Sequence, residues 1–142
     1  MISAKINKHS KFLFVVRCAI ALIWLHEGLW KKIVTGNAYE LSIVRQFSAT
    51  PEGARQLMNA IGAAETLLAL GVLSGLLARP LAWFQIAILF TMNLTGIFFG
   101  GGTIREPVGL LIHNLPLLLC MASIGIYGPG AFTLNGKNRD VQ

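Results

Sequence analysis

Charge is scarce in this sequence. Only 13% of its 142 residues are Asp, Glu, Lys or Arg, about half the share of a soluble domain. That is too little to coat a globule in water and argues against a soluble enzyme or a disordered tail. Cysteine is scarce too. Cys18 and Cys120 both sit inside apolar runs, and no CxxC pair exists. Neither a zinc site nor a thioredoxin-like motif is offered, so both read as small buried hydrophobes. Acidic residues number 6 against 12 basic ones, for a net charge of +6. The excess is not a patch. Lys5, Lys8 and Lys11 precede the first apolar run, and most other basic residues flank later runs. Membrane topology places charge this way, and nucleic-acid binding does not follow from it. A nucleotide motif, nucleophile–base spacing and a soluble catalytic domain are also missing, which disfavours an independent enzyme.

What the chain does have is apolar length. Hydrophobic residues make up 54%, and the mean hydropathy is +0.63. Four runs match the roughly 20 residues that cross a bilayer as a helix: Phe12 to Trp30, Leu57 to Ala78, Leu81 to Phe99 and Val108 to Tyr127. None alternates like a barrel strand. The expected fold class is all-α, a four-transmembrane-helix antiparallel bundle over residues 12–130, with polar tails at 1–11 and 131–142. The first run is too long for a signal-peptide core and no A-x-A site follows it, so it reads as a retained helix. Thr50-Pro51 looks like an N-cap and a first-turn proline. Arg79-Pro80 reads as a short connector, and residues 100–102 and 128–130 as stops. In the segment from Lys31 to Ala49, Leu41, Val44 and Phe47 share helical spacing opposite Glu40 and Arg45. This fits a short interfacial helix or a loop. Gly71 with Gly75, and Gly96 with Gly100, suit close helix packing. They support a bundle and leave a homo-oligomer open.

With the N-terminus inside, Lys5, Lys8, Lys11, Arg79, Lys137 and Arg139 lie inside. Lys31, Lys32, Arg45, Arg55 and Arg105 lie outside. The lysines before the first helix favour N-in and C-in, in a cell membrane expected to be a bacterial inner membrane. Lys31 and Lys32 read as interfacial anchors.

Ionisable residues inside spans are costly and are functional candidates by default. At about 1.5 Å rise per residue, His26, Glu27, Glu65, Asn93, His113 and Asn114 fall in the same half of the bilayer. Every helix contributes. Arg17 falls in the other half, near enough to the edge to snorkel. Pro116 cannot donate to the Ile112 carbonyl and predicts a kink beside this layer. Two readings compete. In one, His26, Glu27, Lys31, Glu65, Asn93, His113 and Asn114 line a polar pocket rimmed by Arg105 and Glu106, where a quinone would find donors and the glutamates would relay a proton. In the other, Glu65 pairs with a base and pins the bundle. Haem between His26 and His113 has no supporting motif, and a di-iron site lacks its Glu-x-x-His spacing. No metal is expected.

These residues resemble a known group, the DoxX-like family of small four-helix membrane proteins. WLHEGLWKK closes the first helix, with Trp24, Gly28 and Lys31 in the family's aromatic, glycine and lysine places. IGAAETLLALGVLSGLLARPLA carries Gly62, Glu65, Gly71, Gly75 and Arg79. HNLPLLLCMASIGIYGPG is similar to the family's Asn-Leu-Pro and closing Pro-Gly. The resemblance implies a small subunit or accessory of a membrane redox or stress-response assembly. Some members are linked to quinone-dependent oxidation with membrane or soluble redox partners. A scaffold or small-molecule carrier is the alternative.

Overall fold

The computed structural model describes residues 8–99, 102 and 104–134. Lys5, Lys137, Arg139, Gly100 and Gly101, used above for orientation and helix ends, lie outside them. All regular structure among the described residues is helical. Helix α1 (Lys8–Leu25) runs on into a wide-turned π segment, His26–Val34. A short α2 (Ala38–Val44) and a 3-10 turn (Arg45–Phe47) follow. Then come α3 (Pro51–Ser74), α4 (Ala78–Phe99) and α5 (Pro107–Tyr127). Four of these rods, the first being Lys8–Val34, are long and apolar enough to cross a membrane. α1 packs against α3 and α5, and α4 against α5 and, more loosely, α3.

Local chemistry explains most boundaries. Thr50 Oγ1 accepts the Gly53 N–H at 3.1 Å and Pro51 follows in the first turn, the expected cap. Asn37 Oδ1 caps α2 through the Tyr39 and Glu40 N–H groups, so the connector does hold a helix. Its polarity differs from expectation. Glu40 and Val44 are four residues apart, hence on one face, and both turn inward. The α3–α4 connector also differs. Gly75 ends α3 in the left-handed region at φ 70°, where glycine is unstrained. The turn covers residues 75–77, and Arg79 and Pro80 belong to the first turn of α4. Proline has no N–H to lose there. α5 continues through Pro116.

The core is a thin stripe. Leu13, Val16, Ile20 and Trp24 of α1 meet Ala69 and Val72 of α3, Ala78 and Ala82 of α4, and Met121 and Ile124 of α5. Outward, Phe12, Leu22, Leu67, Phe84, Phe90, Ile112 and Leu119 are uncovered by protein, the inverse of a soluble domain and the face that lipid covers. Cys18 and Cys120 are free and half-buried.

Two glycines set the α1–α3 crossing. A Cβ on Gly62 would lie 2.8 Å from the Gly28 carbonyl oxygen, and one on Gly28 would lie 2.7 Å from that of Gly62. Such backbone contact needs small residues on both helices. The expected glycine pairs serve elsewhere: Gly75 ends α3, and Gly71 and Gly96 face the side chains of Leu81 and Ile104. Gly62→Ala is therefore expected to lower stability by about 1–3 kcal/mol through overpacking. Gly71→Ala, which meets only the tip of Leu81 at 3.1 Å, should change it little. Thermal unfolding in detergent compares the two.

At the end of the bundle away from His26, Arg17 departs from expectation. It does not snorkel. The residue is 0% exposed. Its guanidinium donates to the carbonyls of Pro129 at 2.9 Å, Ala131 at 3.2 Å and Phe132 at 2.6 Å, and it lies over the Phe14 ring. Chain leaving a helix C-terminus carries carbonyls without helical partners, and a guanidinium has five donors in a fixed fork. The Ala131 N–H donates to Ser10 O and the Leu134 N–H to Ser74 O. Residues 131–134 are thus tied to the bundle.

Candidate functional site

The opposite end holds a chain of ionic contacts, and the π segment builds it. Its wide turn closes with the Thr35 N–H donating to Trp30 O, five residues back, at 2.9 Å. Such turns are rare and tend to mark functional positions. Here the turn sets Lys31 and Lys32 around Glu27. Lys31 Nζ donates to both Glu27 carboxylate oxygens, at 2.8 and 2.9 Å. Lys32 Nζ donates to the Glu27 carbonyl at 3.3 Å. It also stands 2.9 Å from Glu40 Oε2 and 2.8 Å from Glu65 Oε2. Lys31 reaches Glu40 at 3.8 Å, and His26 Nδ1 reaches Glu27 at 3.5 Å.

Lys32 is the centre of the group. It is 6% exposed, and its ammonium has three N–H directions for three oxygen neighbours. The Gly28–Gly62 crossing lets it approach Glu65, because the Lys32 Cβ lies beside Gly62. The reading of Lys32 as an interfacial anchor does not hold, and Glu40 was placed on the wrong face. A Glu–Lys–Lys order at i, i+4 and i+5 was the available signal. Its second partner, Glu65, lies 33 residues farther along the chain. Together three carboxylates face two ammonium groups, an excess of one negative charge with the His26 ring neutral. In low dielectric such a group holds only while each charge keeps its partners.

Beside it lies a cavity of about 600 Å³, within the range of small-molecule sites. Glu27, Lys31, Lys32, Glu40 and Glu65 make its charged wall. Trp24, Val44, Ile61, Leu89, Ile104 and Leu117 make much of the apolar remainder. Asn93 and Asn114 line it as well. Asn114 Nδ2 donates to Asn93 Oδ1 at 3.0 Å. Asn93 is 6% exposed, and its own Nδ2 has no partner among the described residues. A buried donor left unmade is costly and calls for an explanation.

Of the residues expected in a pocket, Glu27, Lys31, Glu65, Asn93 and Asn114 come together around this cavity. His26 is at the outer end of the ionic chain and largely uncovered. His113 points outward, its Nδ1 2.7 Å from Gly109 O. The histidines do not face each other across the bundle interior, so the haem arrangement has no basis. Arg105 and Glu106 are exposed, and from that connector Ile104 reaches the cavity instead. Pro116 is outside the lining. Gln85, which the sequence reading passed over, is buried and accepts the Trp24 indole N–H at 3.1 Å. The rule that drew attention to Asn93, a polar residue inside a span, applied equally to it. Among the described residues no His, Cys, Asp and Glu cluster is arranged for a metal ion.

No curated protein and no solved structure matches the chain. A family model described as the DoxX-like family matches residues 21–122. That stretch covers well over half of the chain, including the π segment, the cavity and both asparagines. The chain belongs to the DoxX-like family.

Proposed function

We propose that this membrane protein binds a quinone in the cavity and serves as a small accessory of a membrane redox assembly. The supporting observation is the Asn93 amide. Its Nδ2 is a buried donor without a partner among the described residues, on the wall of a cavity that is apolar away from its charged side. A quinone fits that donor set, since its carbonyl oxygen accepts a hydrogen bond and its ring suits the apolar wall. Asn93 would hold the carbonyl, with Asn114 fixing the amide by its bond to Oδ1. Trp24, Leu89 and Leu117 would flank the ring. A bound quinone supplies two-electron chemistry coupled to two protons. The protein's part is to bind, orient and manage protons. His26, Glu27, Lys31, Glu40, Lys32 and Glu65 form successive contacts of 3.5, 2.8, 3.8, 2.9 and 2.8 Å. This series links an uncovered imidazole to a carboxylate on the cavity wall and gives a proton somewhere to rest at each end. In this reading electrons come from a membrane or soluble redox partner. The membrane is a bacterial inner one, with both ends of the bundle's chain inside, as Lys8, Lys11 and Arg79 favour.

The second reading is a scaffold pinned by the ionic group, with the same assembly role or one in a stress response. It draws on the complete set of oxygens around Lys32. Binding separates the two. Asn93→Leu/Asn114→Leu, which removes the amide pair without orphaning either partner, should weaken binding of decylubiquinone about tenfold, the worth of one hydrogen bond of ~1.4 kcal/mol, and leave the melting temperature near that of the parent. Titration of the purified protein in nanodiscs reads both. A parent protein that takes up no quinone would overturn the binding role.

A further inference from the structure

Some residues on the cavity wall are uncovered by protein, and they mark its mouths. Leu57 of α3, 38% exposed, and Met92 of α4, 36% exposed, do both. Thr91, next to Met92, is exposed and also lines the cavity. These residues flank the seam between α3 and α4. Farther along, the same seam is shut, where Leu81 packs onto Gly71. Above it, the ring contact of Phe47 with Phe99 bridges from the α2 end to α4. What remains is a side window in the bundle wall. Its edges are apolar, apart from Thr91, whose hydroxyl donates to its own helix at Ala87 O. Ile23, Tyr39 and Phe47 are uncovered on the cavity wall as well. But Ile23 stands one turn from Glu27 and Tyr39 is next to Glu40, where charge would repel a hydrocarbon chain, and Phe47 is taken up by its contact with Phe99.

We infer that the cavity is loaded sideways from the bilayer through the α3–α4 window, and that its ligand is a tailed amphiphile whose hydrocarbon chain lies in that window. The carbonyl headgroup part of this rests on the quinone reading; the window does not. The head is drawn to the polar wall that the ionic group and the two asparagines give the cavity. The tail never leaves lipid, so entry requires no exposure of hydrocarbon to water. A water-soluble headgroup without a tail lacks this burial and binds more weakly.

Two measurements in nanodiscs test the window and the headgroup separately. In a Trp30→Phe/Trp83→Phe background, Trp24 reports from the cavity wall. Lipids with brominated acyl chains should quench most of its emission, and Thr91→Phe or Leu57→Phe should restore it. An unquenched Trp24 overturns the window even if a quinone binds. The second measurement compares decylubiquinone with 2,3-dimethoxy-5-methyl-benzoquinone, the same head without the long tail. Each window variant should bind the tailed probe about tenfold more weakly, as if two methylenes had lost their burial. The tail-less probe should be unaffected. Equal loss of both probes, or loss of neither, overturns the tail's placement. Quenching without binding of either quinone leaves the window standing and removes the headgroup assignment.

Discussion

Replacing Lys32 by leucine is expected to destabilise the fold by roughly 3–5 kcal/mol, the usual range when one partner of a buried ion pair is removed. The loss is not that of a single contact. Lys32 Nζ is shared by the Glu27 carbonyl, Glu40 and Glu65. Without it, the Glu40 and Glu65 carboxylates face each other across the space the ammonium filled, and only Lys31 remains at 3.8 Å from Glu40. Glu40 is on α2, so the variant should also detach that short helix from the cavity. The triple change Lys32→Leu/Glu65→Leu/Glu40→Gln restores most of the stability if burial of orphaned charge is the cause, because it removes the ammonium together with both carboxylate charges it faces. Thermal unfolding of the parent, the single variant and the triple variant in one detergent gives the answer. If the single variant melts with the parent, the ionic group does not pin the bundle.

Arg17→Leu has the next largest expected effect. Three carbonyls, those of Pro129, Ala131 and Phe132, lose their donors. The Ala131 bond is buried and the other two are partly so. At about 1–3 kcal/mol for each buried group left unsatisfied, a loss of about 2 kcal/mol or more is expected even if one carbonyl finds water. Arg17→Lys should recover only part of it, since an ammonium lacks the planar fork that serves three acceptors at once. The released segment is residues 129–134, and limited proteolysis should cut there in the variant and not in the parent. Uncut protein with a lowered melting temperature would mean that the segment is held without Arg17, by the Ala131 and Leu134 backbone bonds and the Phe14–Phe132 ring contact.

The two variants also mark where sequence reading succeeds and fails. The spans were legible because apolar length and lipid thickness are linked directly. The Thr50 cap and α2 were legible because their signals are local. The polar layer was legible in depth, since 1.5 Å per residue fixes height. It was not legible in azimuth. His113 and Asn114 are adjacent in sequence and equal in depth, but about 100° of helical rotation turns Asn114 to the cavity and His113 outward. Arg17 and Lys32 were misread for a different reason. Both sit near span ends, where long basic side chains usually reach for water. What draws Arg17 inward are partners far along the chain, and for Lys32 the local Glu27 and Glu40 are joined by the distant Glu65, which no local pattern announces.

The Arg17 contacts bear on how the chain is assembled. Arg17 precedes its three carbonyl partners by 112 to 115 residues. During synthesis, α1 therefore emerges and meets the membrane long before those carbonyls exist. Its guanidinium must wait, solvated at the bilayer edge, while three further helices insert. Only then can it swing inward and close the bundle. Locking therefore follows the fourth span in chain order, and a chain truncated before Pro129 would carry four spans and an open latch.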